Sequence, residues 1–217
     1  MIAVTLRRPW LEARLTAPLR VLSHAPFGAG YRTTDLVLWR EVRNADLAPD
    51  FPVEDWFARE MAARPGAVGM LTSRDVGTWA QARAAVDGVR AHCVLTLGLS
   101  NAESVGVRLP WHPADYGTIN LLVATDAGLT EAAQLEALTV SVQARTAGVM
   151  AAGLQLASGL ATGTGTDCVA LACVPGAGRY AGLHTAVGEA VGAAVRQAVT
   201  AAAADWLRWR DAERAKR

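Results

Sequence analysis

The chain has 217 residues, 52% hydrophobic and 19% charged, with 21 Lys and Arg against 20 Asp and Glu. That length and apolar content exclude a disordered polypeptide and predict one well-buried domain spanning residues 1–217. The net charge of +1 excludes a basic nucleic-acid footprint, since the one dense basic run, Arg208 to Arg217, is interleaved with Asp211 and Glu213.

In chain order, Met1 to Arg8 lacks the basic-then-apolar order of a signal peptide. Leu11 to Leu15, Arg20 to His24 and Thr34 to Val42 read as strands, separated by Pro18 and by Phe27-Gly-Ala-Gly30, which predicts an antiparallel start. Pro52 to Ala63 places Val53, Trp56, Phe57 and Met61 at helical spacing, with Glu54 and Asp55 in the first turn. Ala67 to Thr72 reads as a buried strand, and Val76 to Val86 has no dominant period. Arg90 to Leu99 is a strand with Cys93, Leu95, Leu97 and Leu99 on one face, and Gly117 to Ala124 is another, with Thr118, Asn120 and Leu122 sharing a face. A helix then starts behind Thr130 as N-cap, striped by Leu135, Leu138, Val142 and Val149, and ends at Gly153. After a strand from Asp167 to Val174, a last helix begins near Thr185, striped by Val187, Val191, Val195 and Val199, with Gly188 and Gly192 permitting close packing. The order of elements predicts an α+β fold, a single domain with a mixed β-sheet covered by helices.

Arg145, Arg196 and Gln197 cut the longest apolar stretches before the roughly 20 residues that cross a bilayer, so no membrane span is expected. Cys93, Cys168 and Cys173 form no CxxC pair, and the last two fall on opposite faces of one strand. Free thiols are the expectation, which suits a cytoplasmic protein.

The most informative stretch is Gly159-Leu-Ala-Thr-Gly-Thr-Gly-Thr-Asp167. Gly163 and Gly165 fill no core, and their presence predicts a backbone in conformations that other residues resist, beside three threonine hydroxyls. Such a loop serves as an oxyanion pocket built from the N–H groups of Gly163 to Thr166, or closes as a self-satisfied turn. Asp167 is placed to orient a histidine, hold substrate or cap local N–H groups. His184 precedes a helix start, where the dipole favours a neutral, base-competent imidazole, while Glu189 suits the helix dipole. Asn120 is a buried amide in need of structural or ligand partners, and Ser100 and Asn101 end a strand. His92 reads as structural; His24 and His112 are further pocket candidates, and Trp111 lies in a proline-flanked loop. The four histidines show no HExxH or comparable ligand spacing, so no metal site is expected.

Five segments in order, Thr96-Leu-Gly-Leu-Ser-Asn101, Gly117-Thr-Ile-Asn120, Leu129-Thr-Glu-Ala-Ala133, Ala161-Thr-Gly-Thr-Gly-Thr-Asp167 and Tyr180-Ala-Gly-Leu-His-Thr185, give the chain its likeness to known proteins. It resembles the adenosylcobinamide amidohydrolase family. The resemblance implies cleavage of the amide between the corrin ring and its aminopropanol arm, yielding adenosylcobyric acid for corrinoid salvage, with the corrinoid as substrate and no resident cofactor. The chain departs from the family pattern at Gln143-Ala-Arg-Thr146, where Glu-Ala-Lys-Thr is frequent, and at Trp39, where a smaller polar residue is expected. For amide cleavage the residues assign His184 as acid and base, Asp167 as its orienter or substrate anchor, and the loop as oxyanion hole. Thr166 is the first candidate nucleophile, Thr164 the second, and a histidine-activated water a third; Cys168 lacks an activator. Gly163, Gly165, Asn120 and Asn101 fall on the substrate side. A non-catalytic corrinoid or anion-binding protein and a hydrolase of a different amide are the alternatives, and oligomeric state is left open.

Overall fold

The computed structural model describes residues 1–42, 51–110 and 117–216. Its elements are β1 (Ile2–Arg7), β2 (Trp10–Ser23), β3 (Gly30–Glu41), α1 (Val53–Glu60), β4 (Val68–Thr72), β5 (Ala80–Val86), β6 (Val89–Leu97), β7 (Ala102–Glu103), β8 (Ile119–Leu129), α2 (Glu131–Ala151), β9 (Gln155–Leu156), β10 (Gly159–Leu160), β11 (Gly163–Thr164), β12 (Cys168–Pro175) and α3 (Ala186–Ala215). Seven strands line up as β4-β3-β2-β12-β8-β6-β5, with β1 beside the first half of β2. The sheet is mixed: β3 with β4 and β8 with β12 are parallel, and the other pairs are antiparallel. The expected mixed sheet with covering helices is thus observed.

Two differences at the start have local causes. β1 was not anticipated, although Ile2 and Val4 alternate towards the core as a half-buried strand requires. β2 is one long strand instead of two, with a register shift between Arg14 and Leu19. Pro18 lies in that interval, and a residue with no N–H to donate is accommodated where the ladder is already broken.

The sheet curls until its two halves touch. The Trp39 indole on β3 donates to the Asn120 carbonyl on β8 at 3.1 Å, and the Asn120 side-chain amide donates to the Leu71 carbonyl on β4 at 2.5 Å. Val37, Met70, Val94, Leu122 and Ala170 fill the concave side with Trp39. On the convex side α1 covers Leu38 with Phe57 and Met61, while α2 and α3 cover Cys93, Leu95, Leu121, Leu171 and Cys173. Cys168 faces the concave core, so it and Cys173 point to opposite sides, and all three thiols are free and buried. Burial pushes the Cys168 thiol up to about 12, with the Asp167 charge adding to the effect.

α2 links the parallel strands β8 and β12, and Thr130 caps it as expected by accepting from the Ala133 N–H. Of the expected stripe Val149 is fully buried, Leu138 and Val142 pack half-buried at the edge of the core, and Leu135 is exposed. Ala133, Ala137, Ser141, Ala144 and Gly148 face inward. The reason is spacing: a Cβ on Gly148 would lie 2.8 Å from Cγ1 of Val199, so α2 meets α3 through small residues. The α3 stripe does hold at Val191, Val195 and Val199.

β6, β8 and β12 have their ends in register, Leu97 opposite Ile119 and Asn120 opposite Cys168. The segments 98–101, 117–118 and 162–167 therefore emerge together at one end of the sheet.

His92 on β6 is fully buried, with Nε2 2.8 Å from the Gln81 side-chain oxygen and no partner for Nδ1 among the described residues. Burial and then the nearby Arg83 charge lower it to about 4. The unfolded chain takes up a proton near pH ~6.5 while the native ring stays neutral, so stability is full above that pH and falls as pH drops towards the native value. The loss contributed by this ring is about 3 kcal/mol. Urea unfolding of wild type and His92→Gln between pH 7 and 4 checks it: the wild type loses more stability than the variant over that interval.

Candidate active site

The loop after β10 is held from both sides. Gly163 and Thr164 pair with Glu103 and Ala102 of β7, the Gly165 N–H donates to the Asn101 carbonyl at 3.2 Å, and the Thr162 hydroxyl accepts from the Val105 N–H at 2.8 Å. The glycines are needed for a reason the sequence did not disclose. Neither Gly163 nor Gly165 has a positive φ. A Cβ on Gly163 would lie 2.6 Å from Asp167 Oδ2, and one on Gly165 3.2 Å from Asn101 Nδ2, so each leaves room for a neighbouring side chain to close over the backbone.

Asp167 is the centre of this closure. Its Oδ1 accepts from the Ile119 N–H at 3.0 Å and from the Thr164 hydroxyl at 2.5 Å; its Oδ2 accepts from the Thr164 N–H at 3.0 Å and lies 2.7 Å from Arg145 Nη1. The carboxylate side chain is 6% exposed and its arginine partner 15%, so the pair is largely withdrawn from solvent. Arg145, on α2, stood out in the sequence as a break in an apolar stretch and a departure from the family pattern, not as a partner of Asp167. A single cation in an alanine-rich helix face was the available signal, because a charge at a buried position requires a counter-charge.

The anticipated oxyanion pocket is not what the loop presents. The N–H groups of Thr164, Gly165 and Thr166 are directed to Asp167 Oδ2, the Asn101 carbonyl and, at 3.5 Å, the Thr164 hydroxyl. The self-satisfied form of the turn is the one observed, and its exposed chemistry is in side chains. The Thr166 hydroxyl donates to the Gly117 carbonyl at 3.2 Å, while the Thr118 hydroxyl donates to the Thr166 carbonyl at 2.8 Å. Asn120 is 1% exposed, with its amide nitrogen on Leu71 and its oxygen 3.1 Å from the Thr118 hydroxyl. Its amide nitrogen ties β8 to β4 as part of the frame, while its oxygen shares the single Thr118 hydroxyl proton with the Thr166 carbonyl.

The expected pairing of His184 with Asp167 is likewise not formed. The turn preceding α3 is pinned by the Glu136 carboxylate, which accepts from the Ala181 N–H at 2.6 Å. Asp167 is pinned by Arg145, about 13 Å further along α2 at ~1.5 Å per residue. His184 is exposed at the other end of β12, where Thr185 caps α3 through the Gly188 N–H at 3.0 Å, and Glu189 is an exposed first-turn residue. Among the described residues the histidine beside the loop is His24, whose Nε2 is 3.0 Å from the Asp167 backbone carbonyl. A carbonyl cannot donate, so Nε2 carries the proton and Nδ1 of the neutral ring is left to accept one. His112 and Trp111 lie outside the described residues.

A cleft of about 470 Å³ lies beside the loop, with Asn101, Gly165 and Thr166 at one side and Glu103, Val107 and Arg108 at the other; Thr164 and Asp167 are next to its lining residues in the chain but do not line it. A larger groove of about 680 Å³ follows the outer side of α2 and α3 past Gln143, Leu183 and Glu189, and includes none of the loop residues. Among the described residues no three His, Cys, Asp or Glu side chains converge to hold a metal ion.

Residues 2–211 match the adenosylcobinamide amidohydrolase family. The chain belongs to this family. Its members are amide hydrolases, and so is this chain. No curated protein matches the sequence. Among solved structures, a Burkholderia sp. beta-aminopeptidase is 14% identical, with 89% of this chain and 78% of that chain covered at a TM-score of 0.44. The PH0078 protein from Pyrococcus horikoshii OT3 is 11% identical, with coverage of 89% and 76% and a TM-score of 0.43. Likenesses that distant bear on no residue of the amidohydrolase site.

Within this family member, removing one charge of the Asp167–Arg145 pair strands the other in a site with little solvent. Asp167→Asn and Arg145→Met are each expected to lower unfolding free energy by about 3 kcal/mol, and the double variant by clearly less than their sum. Denaturant unfolding of the four proteins measures the coupling; additive losses would show that the two charges do not depend on one another.

Proposed function

We propose that this chain hydrolyses the amide joining the corrin ring of adenosylcobinamide to its aminopropanol arm, releasing adenosylcobyric acid. The observation that carries the reading is the convergence of two family-like segments on one cleft: Asn101 from the first, Gly165 and Thr166 from the second, with the Thr164 hydroxyl bonded to Asp167 in the same loop.

An amide resists water because resonance protects its carbonyl, so a site must activate a nucleophile, stabilise the tetrahedral intermediate and protonate the departing amine. Thr164 is better prepared to attack than Thr166, since its hydroxyl points its proton at a carboxylate while that of Thr166 donates to a carbonyl. The Thr164 oxygen adds to the amide carbon as its proton passes to Asp167. Collapse of the intermediate breaks the carbon–nitrogen bond, the amine leaves with a proton, and water cleaves the resulting ester to restore the hydroxyl. Among the described residues, His24 is the imidazole that touches the loop, with its Nδ1 as the nitrogen left to take part in these proton transfers. The chemistry requires no resident metal or cofactor; the corrinoid is substrate.

Incubating the purified protein with adenosylcobinamide and analysing for adenosylcobyric acid tests the reading. Turnover supports it, binding without turnover identifies a corrinoid carrier, and neither points to another amide. Thr164→Ala is expected to lose turnover by about 10³-fold or more while retaining corrinoid affinity, and Thr166→Ala to lose much less. Wild-type rates in both would remove the hydroxyls as nucleophiles and leave an activated water. Exhaustive chelation is expected to leave the wild-type rate unchanged; loss restored by one specific metal would overturn the metal-free mechanism.

A further inference from the structure

Ser100 and Asn101 are neighbours that face different clefts. Asn101 lines the cleft of the reactive loop, whereas Ser100 lines two others, of about 450 and 460 Å³, that share Trp206 and Trp209 of α3 as a wall. Each volume falls in the range of small-molecule pockets, and adjacent Cα atoms lie only ~3.8 Å apart, so one large ligand reaches from the reactive loop across the turn to the aromatic wall.

That wall is built to receive a flat ring. Trp206 is buried, and its ring centroid is 6.3 Å from that of Trp209 at an interplanar angle of 50°. Trp209 is 45% exposed, unusual for a large aromatic side chain with a packed neighbour. The Arg74 guanidinium lies 4.6 Å from the Trp209 ring centroid and that of Arg210 5.5 Å from the Trp206 centroid, so cations back the aromatic pair. Arg74 Nε is buried with no partner among the described residues. Charge in the cleft selects against a polyanion: Glu41 and Asp75 sit beside Arg74, and both are bound to Arg8, at 3.2 and 2.7 Å. Glu41 and Asp75 offset the guanidinium groups of Arg8 and Arg74, while Arg210 stands at the Trp206 ring, and this mixture of both signs suits an uncharged π-system that stacks and accepts a hydrogen bond.

We propose that Trp209, backed by Trp206 and Arg74, is a stacking subsite for the nucleobase of the substrate's adenosyl group, positioned so that the corrin periphery extends past Ser100 to the Thr164 loop. The inference rests on the amidohydrolase reading for the identity of the ligand, but the stacking itself is testable apart from turnover. Stacking of a base on an aromatic side chain is worth about 5- to 150-fold in affinity when the ring is removed.

The experiment uses the full chain, with 5′-deoxyadenosine as binding probe by calorimetry and two substrates: adenosylcobinamide and cobinamide lacking the adenosyl group. Trp209→Ala is expected to weaken deoxyadenosine binding at least about fivefold and to raise KM for adenosylcobinamide but not for the adenosyl-free substrate; Trp209→Phe, which keeps an aromatic face, restores both. Equal affinity of wild type and Trp209→Ala for the probe, or no binding by wild type, overturns the subsite. Probe binding that depends on Trp209 in a protein that cleaves neither cobinamide retains the subsite and overturns the amidohydrolase reading instead.

Discussion

The Asp167 carboxylate is the constraint on which the candidate site depends. Four donors from three parts of the chain meet on its two oxygens: the loop itself through Thr164, strand β8 through the Ile119 N–H, and helix α2 through Arg145. A carboxylate so nearly excluded from solvent is stable only when paired and hydrogen-bonded, and each partner here also fixes a piece of backbone. Gly163 exists to let that carboxylate close over it. The threonine hydroxyl is held in one orientation as a consequence, which is the pre-organisation that covalent catalysis requires.

The curl of the sheet supplies the platform. Trp39 donates across the concave core to the Asn120 carbonyl, and Asn120 in turn donates to β4, so the strand that begins beside the reactive loop is tied to the opposite limb of the sheet. The bond accounts for the burial of Trp39: without a partner its N–H would be a penalty, whereas bonded it locks the curl. The departure at Gln143 lies on the exposed side of α2, in the outer groove, while Arg145 two positions later turns inward to Asp167. Gln143 therefore takes no part in the Asp167 network, and Arg145 supplies its positive charge.

How much was legible in the sequence follows from which forces act locally. Strand β6 and its buried face, the Thr130 cap, the start of α3 near Thr185 and the valine stripe of α3 depend on residues a few positions apart, and all were readable. The stripe on α2 was misread in part because partner shape decided the matter: α3 requires the small face of Gly148 and Ala144, and the larger Leu135 is displaced to solvent. The reactive loop was found from its composition, but its glycines were explained by backbone freedom when the cause was two side chains that close over them: Asp167, held there by the distant Arg145, and Asn101. The histidine pairing failed for the same reason. His184 and Asp167 are separated in sequence by a strand and a turn, and an eight-residue strand carries its two ends about 25 Å apart.

That geometry also explains why the chemistry gathers at one end. In a β8-α2-β12 unit the parallel strands start together, so the residues that precede them, Thr118 and Asp167, are neighbours by construction, while whatever follows β12 is delivered to the far side. β2 runs antiparallel to β12, with Ser23 opposite Ala170, so its end returns to the start of β12 and sets His24 against the Asp167 carbonyl. The imidazole beside the loop is therefore chosen by strand direction, a property that neither local composition nor proximity along the chain expresses.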